Sequence, residues 1–186
     1  MLKGFSTKEL IFIALMSAFM FAADFVIAIG IVTATGIPLS GGIISVVVIG
    51  FFYSIILFSV KKFGTATLVA LIYTALASPT ASFGPPGAYK LIIGLVLGLL
   101  VDIVLYFGNY KKFMYYIAIF FGFMIVAPVM LGMIILLGLP GAEELGKMVV
   151  ILMFVQGIEG VIGMWLGSRL YEKKLKNKRI FKQISG

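Results

Sequence analysis

The chain has 186 residues, of which 62% are hydrophobic and 12% charged, and it contains neither histidine nor cysteine. Its mean hydropathy is +1.18, and soluble domains hold only roughly 45–50% apolar residues, so the composition is that of an all-α integral membrane protein. Without His or Cys there are no ordinary ligands for zinc, copper or haem, no imidazole base and no disulfide; a non-enzymatic chain with no cofactor, metal or catalytic residue is expected.

A bilayer-crossing helix needs about 20 mostly apolar residues. Six windows meet that requirement, which predicts helices over about 9–32, 43–60, 65–82, 90–107, 113–139 and 147–170, a single transmembrane domain with a basic tail at 171–186. None of the windows alternates with a period of two, which argues against a barrel. The first runs on past Asp24 without a small-residue cleavage pattern and reads as a retained helix rather than a signal peptide.

On that first helix Ala14, Ala18 and Ala22 recur every four residues beside Ser17. The result is a smooth strip against which another helix can pack, inside the bundle or from a partner. Asp24 falls in the outer half of the span, where a salt bridge or cap and a ligand contact are both open. The connection after the third helix, "SPTASFGPPGAYK" from Ser78 to Lys90, is rich in Gly, Pro and hydroxyls. Such composition makes ordered turns and presents hydrogen-bonding groups. Ser82, Tyr89 and Lys90 are its candidate substrate contacts, and Lys90 reads either as a snorkelling anchor or as the rim of a pocket.

Along the fourth helix Gly94 and Gly98 read as internal packing and Asp102 as structural. The fifth window is long enough that it must tilt, kink at Pro128 or begin in the interface. Before the sixth, "GAEELGKM" imitates part of a phosphate loop, but Met148 stands where Ser or Thr must reach magnesium, and two carboxylates would repel phosphate. It reads as a helix start with acids near the N-terminus. Further along, Gln156, Glu159, Gly160, Gly163 and Gly167 share one face, which should look into the bundle. Glu159 there is either an interhelical hydrogen-bonding group or a substrate contact.

The net charge of +8 is not spread evenly: Lys3, Lys8, Lys61, Lys62, Lys111, Lys112 and the tail from Arg169 to Lys182 hold 13 of the 15 basic residues. They sit at alternate helix ends, which places the N- and C-termini in the cytoplasm and assigns the tail to the lipid bilayer surface rather than to nucleic acid.

Together, the six helices with both ends cytoplasmic, the "ALMSA" segment around Ala14 and Ala18, and the "KLIIGLVLGLLVD" helix after a Gly-Pro loop resemble the substrate-binding S component of energy-coupling factor (ECF-type) vitamin transporters. The resemblance implies a pocket in the outer half, capped by the first and third outside loops and lined by helices four to six. It also implies a small vitamin-like substrate, and a transmembrane coupling subunit that meets Ala14 and Ala18 and carries two ABC-type ATPases, in a prokaryotic cell membrane. Two other readings are kept: a stand-alone proton-coupled secondary transporter using Glu159 or Asp24, and a structural membrane subunit.

Overall fold

The computed structural model describes residues 4–35, 40–80 and 85–184. Among them every regular element is helical: α1 (Thr7–Thr35), α2 (Ser40–Ser59), α3 (Thr65–Ala77), α4 (Lys90–Phe107), α5 (Lys112–Met124), α6 (Val126–Leu136), α7 (Ala142–Leu170) continued by a π-helical turn (Tyr171–Leu175), and α8 (Arg179–Ile184). Four stretches, Thr7–Ile31, Lys90–Phe107, Lys112–Leu136 and Ala142–Leu175, are long and apolar enough to cross a membrane, and Ile44–Ser59 and Thr65–Ala77 are shorter apolar helices.

The local chemistry sets the boundaries. Ser6 and Glu9 form a capping box at the start of α1: the Glu9 amide donates to the Ser6 hydroxyl at 3.3 Å and the Ser6 amide to the Glu9 carboxylate at 2.6 Å. The third helix, expected to run to residue 82, ends at Ala77. Ser78 keeps helical geometry as the cap, its amide bonding the Ala75 carbonyl, and Pro79 has no amide with which to continue the ladder. The fifth window is two helices in line, broken at Ile125. Proline clashes with the carbonyl four residues earlier, so Pro128 breaks the helix at Met124 and Ile125 rather than at its own position. The last long helix begins at Ala142, five residues before the expected start, behind Gly141 with φ at +94°.

Two helix pairs are drawn unusually close by glycine. Between α2 and α7, a Cβ on Gly50 would lie 2.6 Å from the Gly160 carbonyl oxygen, and one on Gly163 would lie 2.8 Å from the Phe51 amide. Between α3 and α4, a Cβ on Gly98 would strike the Thr67 backbone, and one on Gly94 would lie 2.9 Å from the Ala70 carbonyl oxygen. Small residues permit this approach where lipid supplies no hydrophobic drive between helices.

The basic helix ends gather at one end of the bundle. There Lys62 pairs with Glu9 at 2.7 Å and Lys112 with Glu172 at 2.7 Å. The Phe58 ring stacks on Tyr115 and on Tyr171, and Phe181 of α8 packs edge-on against both Phe12 and Tyr171. The starts of α1, α3 and α5 therefore meet the ends of α2, α4 and α7, while Lys90 and the start of α7 lie at the other end.

Candidate functional site

At the end remote from the basic cluster, a cavity of about 40 Å³ lies between the α3–α4 hairpin and the helices α2, α5 and α6. The hairpin contributes Ala70, Tyr73, Ala77, Lys90 and Gly94; Ile49, Tyr53, Phe123 and Val126 face them. Ligand pockets for drug-sized molecules run roughly 300–1,000 Å³, so the space as it stands accommodates a few atoms.

Lys90 is 1% exposed. Its ammonium donates to the Ala77 carbonyl at 3.2 Å and to the Thr80 carbonyl at 2.7 Å. The carbonyls at the end of α3 lack intrahelical partners, and a cation there also complements the helix dipole. The neighbouring hydroxyls do the same work: Ser78 donates to the Thr74 carbonyl and Thr80 to the Ala77 carbonyl. Tyr89 closes its own turn by donating to the Pro85 carbonyl at 2.7 Å. Ser82 lies outside the described residues.

At the opposite end of α3 the N-cap residue is Gly64, which has no side chain to accept from the free amides. Asp102 of α4 supplies the acceptor. Its Oδ1 takes the Ala66 amide at 3.0 Å, and its Oδ2 takes the Thr67 amide at 2.9 Å and the Thr67 hydroxyl at 2.7 Å. Lys90, Gly94, Gly98 and Asp102 are spaced by four and form one row on α4. Its middle touches α3 backbone to backbone, and its ends hold the two termini of α3.

Asp24 is also buried, at 1% exposure. Its carboxylate accepts from the Tyr73 hydroxyl at 2.5 Å and from the Ser45 hydroxyl, tying α1 to α3 and α2. It stands behind the cavity wall, which Tyr73 lines, and does not line the cavity itself. Glu159 and Gln156 lie on α7, outside the lining as well. Glu159 is buried and Gln156 half-buried, and the Glu159 Oε2 and Gln156 Oε1 atoms find no hydrogen-bond partner among the described residues. The glycines flanking them face α2 and α5, as the shared-face reading expects. The described candidate substrate residues thus occupy three places: Lys90 and Tyr89 at the α3–α4 connection, Asp24 on α1 behind Tyr73, and Gln156 and Glu159 on α7.

Ala14, Ala18 and Ala22 are exposed on the outer side of α1, whereas Ile13, Ser17, Met20 and Asp24 form its buried face. The smooth strip is not consumed by packing within the chain. Phe19, Ala22, Val26 and Phe52 line a shallow groove along it.

Sequence reasoning had not joined Lys90 to Asp102, although the four-residue row was visible; the side chain missing from Gly64 was the second signal. The Tyr73–Asp24 bond had no signal in spacing, since the two residues are brought together by tertiary packing alone.

No protein-family model matches the chain, and no curated protein or solved structure matches it.

Proposed function

We propose that the chain is the membrane-embedded substrate-binding subunit of an uptake system for a small water-soluble vitamin or vitamin precursor. A separate transmembrane coupling subunit with two ABC-type ATPases energises it, in a prokaryotic cell membrane. On this reading the shorter helices α2 and α3 also cross, giving six spans with both termini cytoplasmic. The observation that carries the proposal is the cavity beneath the α3–α4 connection, at the end opposite the basic cluster. Under the positive-inside rule that end faces outside, where an uptake protein meets its substrate. The exposed alanine strip on α1 supports a partner helix in the membrane.

Mass spectrometry of small molecules retained by the purified full-length protein tests this directly. A vitamin or precursor held without any ion gradient is the expected result; proton-dependent flux through the isolated protein would overturn it. The unpartnered Glu159 Oε2 favours that second reading, a stand-alone proton-coupled carrier.

A further inference from the structure

We propose that the cavity between the α3–α4 hairpin and α2, α5 and α6 receives an uncharged planar ring of the transported molecule. This deepens the uptake reading and rests on it. Three aromatic side chains, Tyr53, Tyr73 and Phe123, present their rings to the space, with the small side chains of Ala70 and Ala77 leaving it open. Offset or edge-on contact with aromatic side chains is the favoured environment of another ring.

The polar atoms of the lining side chains are turned away into bonds of their own. The Tyr53 hydroxyl donates to the Ala66 carbonyl at 3.0 Å, and the Tyr73 hydroxyl to Asp24. The Thr74 hydroxyl bonds the Ala70 carbonyl at 2.8 Å, and the Lys90 ammonium is held by the carbonyls of Ala77 and Thr80. The wall consequently carries no polar surface. A carboxylate or ammonium entering it would lose its hydration with nothing to replace it, a cost that a neutral ring does not meet. The buried charges Lys90 and Asp24 thus maintain the shape of the cavity and do not pair with a charge on the occupant.

A ring is larger than the present space, so its entry displaces the wall. The wall divides between the glycine-tight α3–α4 pair on one side and, on the other, α2, itself held close to α7, with Phe123 of α5 and Val126 of α6. Among the described residues the hairpin is tied to α2 directly by Tyr53 to Ala66 and through α1 by Tyr73 to Asp24. Movement of the α3–α4 hairpin as a unit therefore opens the seam as these two bonds give way.

Fluorine NMR on the full-length protein in nanodiscs tests the site with fluorobenzene, and with fluorobenzoate and fluorobenzylammonium as charged counterparts. Expected is saturable binding of fluorobenzene, with both charged probes weaker by about tenfold or more. Ala70→Val, which fills the space, should lose the neutral probe by a similar factor. Ala77→Val serves as a second filling variant should the first fail to fold, and Gly132→Ala on α6, which lies outside the lining and meets nothing within 4 Å, should bind as the parent does. Absence of saturable fluorobenzene binding, equal binding of a charged probe, or undiminished binding in both filling variants that fold would overturn the proposal. A vitamin retained equally well by the filling variants would overturn the ring site and leave the uptake reading intact. Fluorobenzene binding in a protein that retains no vitamin would retire the uptake reading alone.

Discussion

The ammonium of Lys90 and the carboxylate of Asp102 hold opposite ends of the same neighbouring helix. Both project from α4, Lys90 onto the last carbonyls of α3 and Asp102 onto its first amides. Each charge also has the sign that opposes the dipole of α3 at its own end. Removing Lys90 takes one donor each from the Ala77 and Thr80 carbonyls, the former keeping Thr80 as a donor. Removing Asp102 leaves α3 amides without their acceptor inside an apolar bundle, where no water replaces the lost partner. Asp102→Ala should therefore destabilise the protein by about 1–3 kcal/mol, the cost of unsatisfied buried groups. Asp102→Asn, which keeps one acceptor oxygen, should lose less. Thermal unfolding in detergent reads both; equal stability of Asp102→Ala and the parent would show that α3 is not capped this way.

Lys90→Met keeps the length of the side chain but not its donors. It should lower the melting temperature, and Lys90→Arg should restore part of the loss. If the ammonium serves α3 rather than a substrate, the affinity for any retained ligand should fall only as the folded fraction falls.

Glycine substitutions should divide by location. Gly98→Ala places a methyl group against the Thr67 backbone, and Gly163→Ala places one against α2. Overpacking of this kind costs typically about 1–3 kcal/mol. Gly132→Ala meets nothing within 4 Å, and in an α-helix it should be neutral or stabilising by up to about 1 kcal/mol. A comparison of the three melting temperatures decides it.

Tyr73→Phe removes the hydroxyl that donates to Asp24 while leaving the ring against the cavity. Stability should drop by about 1–3 kcal/mol, and fluorobenzene binding should persist. Loss of the probe without loss of stability would mean that the hydroxyl, not the ring, forms the wall.

Bulky replacements on the outer face of α1, such as Ala14→Trp or Ala18→Leu, should leave unfolding unchanged to within about 0.5 kcal/mol, because these side chains are exposed. Co-purification with a coupling subunit should be lost. A large drop in the stability of the isolated chain would instead mean that the strip packs internally.

Hydropathy located the helices well because it responds to length and charge. The span 90–107 coincides with α4, and the others begin or end within a few residues of the observed elements. Two of the larger departures come from proline, since Pro79 trims α3 and Pro128 breaks the fifth window near Ile125, and a third from Gly141, behind which α7 starts five residues early. The candidate site was less legible. Burying Lys90 and Asp24 requires partners contributed by other helices, and a charge-free window cannot indicate which carbonyls or hydroxyls those are. The exposed face of α1 was half legible: the four-residue spacing marks a strip, but only the packing of Ile13, Ser17 and Met20 on the opposite face determines which way it points.

The row from Lys90 through Gly94 and Gly98 to Asp102 also limits which changes of length the chain can tolerate. Twelve residues of α4 advance about 18 Å, close to the about 20 Å of the 13-residue α3. Inserting one residue between Gly94 and Gly98 would turn the rest of α4 by about 100°. Asp102 would swing away from α3 while Lys90 stayed in place. A one-residue insertion or deletion in either helix therefore breaks one of the two end contacts, and a matching change in the other does not restore it, because that helix's face turns as well.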